Sequence, residues 1–210
     1  MRVRRNPIAG QNLFTTYRDM CGNTSLHSVV EQRDYGKVKF YAEFPQLINS
    51  ANNCGDSPLH YCAFNDFPAA ANVLLGNGAD INAVNVLKQT PVMLAVLNKA
   101  YQTLEFLLTV RTVIVDKKVN RKETIHKEIN IKLDPFLTDY RELTFVHYAL
   151  LMNDERIKHI VLRALAKWKI FFVQSSEPNW FNPNFITLYT KSSHHSKMLN
   201  ECKGGFKWGD

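Results

Sequence analysis

Three tetrapeptides recur at one fixed distance. Thr24-Ser25-Leu26-His27, Ser57-Pro58-Leu59-His60 and Thr90-Pro91-Val92-Met93 are evenly spaced: the interval from Thr24 to Ser57 equals that from Ser57 to Thr90. A fourth copy, Thr144-Phe145-Val146-His147, follows later than that interval would place it. A short fixed period means small supersecondary units, none of which can bury its apolar face alone, so neighbours must stack into a solenoid.

Each unit carries its own start and stop signals. Thr24, Ser57, Thr90 and Thr144 are N-cap residue types, and Pro58 and Pro91 stand at the first helical position, where no backbone donor is needed. Behind them Leu26, Leu59, Val92 and Val146 point inward with the small residues Ala63 and Ala95, which let adjacent helices approach closely. A second helix follows in each unit, marked by Val38, Phe40 and Tyr41, then Val73-Leu74-Leu75, then Leu104, Phe106, Leu107 and Leu108, then Ile157, Ile160, Val161 and Leu162. Gly22, Gly55 and Gly78 supply the backbone freedom for the turns before and after the helix pairs.

The tetrapeptides, the period of about 33 residues and the turn sequence Gly78-Ala79-Asp80-Ile81-Asn82-Ala83 resemble the ankyrin-repeat family. The resemblance implies an all-α solenoid of helix-turn-helix units with β-turn fingers. It places repeats near 19–51, 52–84, 85–116 and 139–167, with a basic segment 1–18 before them. It also implies that His27, His60 and His147 use their imidazoles to hydrogen-bond backbone between neighbouring repeats.

Such stacks bind protein partners with the concave face of the first helices and with the turn tips. Counting from each cap residue, positions five and eight line that face: Ser28 and Glu31, Tyr61 and Phe64, Leu94 and Leu97, Tyr148 and Leu151. Position eight is usually polar in the family, so Phe64, Leu97 and Leu151 form an apolar stripe expected to receive an apolar segment, with Val84, Val86 and Leu87 extending it at a turn tip. The candidate partner-binding set is therefore Tyr61, Phe64, Val84, Val86, Leu87, Leu94, Leu97, Tyr148 and Leu151. One candidate occupant is the chain's own aromatic stretch Trp168–Tyr189, within an extension covering 168–210.

The register breaks between the third and fourth copies, giving an irregular insertion near 117–138. Thr112–Val119 and Thr124–Leu133 are β-branched and alternating, with Ile129, Ile131 and Leu133 on one side, which favours a long β-finger. Glu123-Thr124-Ile125-His126 lies one full interval after Thr90, which leaves a decayed repeat as the other reading.

Charge and cysteine content narrow the function classes. Net charge is +7, distributed as +4 over residues 1–18, −3 over 19–109 and +6 over 110–210. The basic residues lie among acids without a nucleic-acid-binding pattern, so no nucleic-acid partner is expected. Cys21, Cys54, Cys62 and Cys202 form neither a CxxC pair nor a disulfide framework, and His194 and His195 with Cys202 match no zinc spacing. No nucleophile elbow, phosphate-binding loop or HExxH is present, so neither catalysis nor a cofactor is expected. With no secretory leader and no apolar run of membrane-spanning length, an intracellular, cytoplasmic or nuclear scaffold or adaptor is expected, or the regulatory ankyrin portion of a larger protein such as an ion channel or ankyrin-bearing enzyme.

Overall fold

A computed structural model of the chain describes residues 17–120, 123–174 and 186–190. Arg2, Arg4, Arg5, His194, His195 and Cys202 lie outside the described residues. Among those described, helices pair as α1 (Ser25–Glu31) with α2 (Tyr35–Tyr41), α4 (Pro58–Phe64) with α5 (Pro68–Gly76), α6 (Pro91–Leu97) with α7 (Tyr101–Thr109), and α8 (Phe145–Leu151) with α9 (Glu155–Trp168). A single turn, α3 (Pro45–Ile48), follows α2. First helices stack as α1-α4-α6-α8 and second helices as α2-α5-α7-α9, giving two layers around one continuous core. Leu26, Leu59, Val92 and Val146, one from each first helix, are fully buried at equivalent positions.

In repeats one and two the fourth residue is the tie to the next. The Ser57 backbone N–H donates to His60 Nδ1 at 3.1 Å, and His60 Nε2 lies 3.0 Å from the Gln89 carbonyl of the next repeat. His27 repeats this with Thr24 N at 3.1 Å and the Asp56 carbonyl at 2.9 Å. A ring nitrogen that accepts from backbone must leave the proton on the other, so the network assigns the Nε2–H tautomer. In the fourth repeat Thr144 N donates to His147 Nδ1 at 3.0 Å. Repeat three has Met93 instead, whose sulfur sits 3.5 Å from Thr90 N and offers no donor toward repeat four. Met93→His should add that donor opposite the Leu143 carbonyl, the counterpart of Asp56 and Gln89. Stability is expected to rise by about 1 kcal/mol, measured as a higher urea midpoint.

Burial holds both His27 and His60 below their ordinary pKa. The unfolded chain therefore binds these two protons first. Stability should be level above pH 7 and fall as pH drops through 6.5, with a slope approaching about 2.7 kcal/mol per pH unit for two protons. Urea melts at pH 7.5 and pH 5.5 check this. Equal midpoints would mean the imidazoles are not locked neutral.

The insertion is a β-hairpin and not a decayed repeat. β1 (Thr112–Asn120) pairs antiparallel with β2 (Glu123–Asn130). Its limits are given by a repeated clamp. Asn49 donates to the Gly78 carbonyl and accepts from Asp80 N, and Asn82 does the same with the Lys132 carbonyl and Asp134 N. Lys132-Leu133-Asp134 thus stands where Gly78-Ala79-Asp80 stands one repeat earlier, and the inserted residues are 111–131. This corrects the expected limits of 117–138: the turn sequence from Lys132 onward already belongs to the solenoid. Val113 and Ile131 are buried at the hairpin's base, and Ile129 and Leu133 pack against the core. β1 lies along α5.

The chain leaves α9 through Lys169 in a left-handed conformation (φ 57°). A second antiparallel hairpin follows, β3 (Ile170–Gln174) with β4 (Ile186–Thr190), with β3 against α9. Trp168 stacks edge-on to Phe145 at 6.3 Å, under the Arg111 guanidinium at 5.0 Å, and Ile170 is buried. The start of the aromatic stretch therefore packs between Phe145 and Arg111 at the root of the inserted hairpin, away from the stripe residues Phe64, Leu97 and Leu151. Residues 175–185, part of that expected occupant, lie outside the described residues.

Candidate partner-binding surface

Each repeat projects a finger whose shape is set by one side chain. Asp19, Asn52, Asn85 and Asp139 stand five residues before their repeat's cap, and each accepts from the backbone N–H groups two and four residues ahead at 2.8–3.0 Å. Such Asx bonds hold a tight turn without help from secondary structure. Fingers then join their neighbours through backbone. Asn53 N donates to the Cys21 carbonyl at 2.9 Å, Val86 N to Cys54 at 3.0 Å, and Tyr140 N to Leu87 at 3.1 Å. The last of these crosses the insertion, so repeat four docks on repeat three as if the hairpin were not there.

This ribbon presents an apolar row to solvent. Met20 is 96% exposed, Val86 67% and Tyr140 52%, all at the finger position that Asn53 fills in repeat two, with Leu87 and Val84 exposed beside them. Cys21 and Cys54 are free and exposed at the position Leu87 occupies. Met20 and Tyr140 lie outside the sequence-derived set. Their signal, four residues before Thr24 and Thr144, is visible only when the fourth repeat is aligned across the insertion.

On the first helices the stripe is uneven. Phe64 is 60% exposed, whereas Tyr61, Leu94, Leu97 and Leu151 are half-buried and pack against the core. Tyr148 is a correction: it is buried. Its hydroxyl donates to Asp139 Oδ2 at 2.5 Å and lies 3.5 Å from Gln89 Nε2. Burial, with that bond to Asp139, pushes its phenol up to about 12. Tyr61 occupies the same position in repeat two, donating to Asn23 Oδ1 at 2.9 Å, with Asn52 Nδ2 at 3.3 Å. Both tyrosines tie their own finger to the preceding repeat, so position five braces the stack where it carries tyrosine. Thr24, His27, Ser57, His60, Thr90, Thr144 and His147 are all buried, and Pro58 and Pro91 begin α4 and α6.

On the opposite side, the left-handed residue between the helices of each of the first three repeats reaches the next. Arg33 Nη1 donates to the Asn65 carbonyl, Asp66 Oδ1 accepts from Thr103 N at 2.7 Å, and Lys99 pairs with Asp154 at 3.5 Å. Asp154 also caps α9, and the backbone N–H of Ile157 is the main reason its carboxyl lies below the usual range.

A family description, "Ankyrin repeats (3 copies)", matches residues 26–122. These are ankyrin repeats. The match ends inside the β1–β2 hairpin, and the stacking of α8 on α6 and α9 on α7 extends the same architecture to the fourth helix pair. Over 102 residues the chain is 26% identical to the target of rapamycin complex 2 subunit AVO2 of Saccharomyces cerevisiae, covering 48% of this chain and 24% of that protein. The matched part thus spans about a quarter of the relative's length. Ankyrin repeats are generally protein-interaction modules. None of the described helices is long and apolar enough to cross a membrane.

Proposed function

We propose that the chain is a non-catalytic scaffold or adaptor that binds a protein partner through the exposed finger row and the adjoining first-helix face. The observation that carries this reading is the line of exposed apolar finger residues, Met20, Val86, Leu87 and Tyr140, held rigid by backbone bonds between fingers. Apolar side chains on a pre-formed scaffold lose little conformational freedom on binding, and their burial supplies affinity. Val84, Phe64 and the half-buried Leu94, Leu97 and Leu151 widen the surface around the bracing Tyr61. The three histidines of the repeat motif are buried and bonded: His27 and His60 on both ring nitrogens, His147 to its repeat's cap. The yeast relative is named as a subunit of a complex, which agrees with an adaptor role.

Affinity purification of the tagged chain, with bound proteins quantified, tests the reading. Val86→Glu with Tyr140→Glu, and separately Phe64→Glu, should reduce the main bound protein at least about tenfold, the equivalent of 1.4 kcal/mol. Lys39→Glu on exposed α2 should not. Identical recovery with all variants would remove the finger row from the function.

A further inference from the structure

The outer edge of β2 has a feature the partner surface does not use. A two-stranded ribbon is marginal on its own, and an unpaired edge is a template for another strand. Here β1 lies along α5, while among the described residues no strand pairs with the far edge of β2. The backbone decides which residues that edge offers. Ile131 N donates to the Arg111 carbonyl at 2.7 Å, in the same register that pairs Val113 with Ile129 and Lys117 with Ile125. Bonded and non-bonded pairs alternate along an antiparallel ladder. Ile125 therefore bonds toward β1, and Thr124, His126 and Glu128 turn their N–H and C=O groups outward.

We propose that two copies of this chain associate through these edges, with their β2 strands antiparallel about a dyad at Ile125, forming a four-stranded sheet. In that register Thr124 of each copy exchanges backbone bonds with His126 of the second copy, and Ile125 lies opposite its own counterpart. Glu123 then lies opposite Lys127 of the second copy, and Lys127 opposite Glu123. The segment Glu123-Thr124-Ile125-His126-Lys127 is thus charge-complementary to itself when reversed. Moving the dyad to Thr124 or His126 loses both matches. Opposite charges directly across a strand pair stabilise it and like charges destabilise it, so the register is selected by charge. An edge designed only to repel would carry one sign; this one carries alternating signs with a centre of symmetry. The contact is isologous and closes at two copies.

Sedimentation equilibrium of the full chain tests this over about 1–100 µM, the range in which small interfaces dissociate. The wild type should move from one chain mass toward two. Glu123→Lys and Lys127→Glu each place like charges across the dyad twice and should weaken self-association at least about tenfold. Mixed in equal amounts, the two variants restore both matches and should dimerise again. Thr124→Pro removes an outward N–H that makes no bond to β1, and should give a monomer with an unchanged circular dichroism spectrum. A wild type that stays monomeric throughout, single variants that associate like wild type, or a mixture that stays monomeric would each overturn the proposal.

Discussion

Gly55→Val is expected to lower stability by about 3–5 kcal/mol and the melting temperature by about 10 °C for a chain of this size. Two effects add at this position. Gly55 has φ +78°, and a Cβ there would lie 2.7 Å from the Val86 backbone nitrogen and 3.1 Å from Asn85 backbone atoms. The left-handed conformation alone is tolerable, since Lys88 and Glu142 adopt it at the equivalent places in the next two fingers, with φ of 56° and 65°. The contact with backbone of the neighbouring finger cannot be relieved by rotating a side chain. Valine there forces finger two away from finger three and breaks the Val86 N to Cys54 carbonyl bond. Lys88→Gly, by contrast, should stabilise by about 1 kcal/mol or less by removing left-handed strain. Thermal unfolding followed by circular dichroism checks both, and a Gly55→Val midpoint within about 2 °C of wild type would show that the fingers are not clamped.

His60→Ala should cost a similar amount, about 3–5 kcal/mol, for a different reason: truncation leaves the Ser57 N–H and one lone pair of the Gln89 carbonyl without their partner in a buried setting, and opens a cavity where the buried ring stood. His60→Met mimics the residue found at the same place in repeat three: it keeps a weak sulfur acceptor and fills the volume, so about half the loss should return. Denaturant midpoints of the two variants measure the difference. Equal midpoints would assign the whole effect to the lost donor toward Gln89. Both Gly55 and His60 act at the boundary between repeats two and three, and in a linear stack stability is a sum of repeat and nearest-neighbour contributions. Either variant is thus expected to broaden unfolding as well as shift it.

Much of this arrangement is legible in the residues because it is closed within one period. The caps, the Pro58 and Pro91 starts, the inward Leu26, Leu59, Val92 and Val146, and the alternating strands of the insertion all follow from local periodicity. The turn residues Asp19, Asn52, Asn85 and Asp139 are equally regular at five residues before each cap. The first three recur at the interval of the caps themselves, and Asp139 joins them once the fourth repeat is aligned on Thr144, at its own longer offset from Thr90. Tyr148 escapes the pattern because position five is a surface position only if nothing turns over it. The finger carrying Asp139 does so, and a phenol beside a carboxylate is drawn inward by the hydrogen bond.

By itself, the sequence determined the kind of molecule: a stack of helix pairs, an interruption after the third, and the residues that hold each unit in shape. These depend on contacts a few residues apart and on an interval that repeats. The tertiary structure alone decided where the interruption starts and ends, that Trp168 packs between Phe145 and Arg111, and which apolar residues remain in solvent. Asn82 meeting Lys132 and Asp134, Arg111 lying over Trp168, and Tyr140 bonding to Leu87 join residues roughly 50 positions apart. Whether a side chain such as Met20 or Tyr148 faces solvent or core depends on what those distant segments bring against it, which local pattern does not encode.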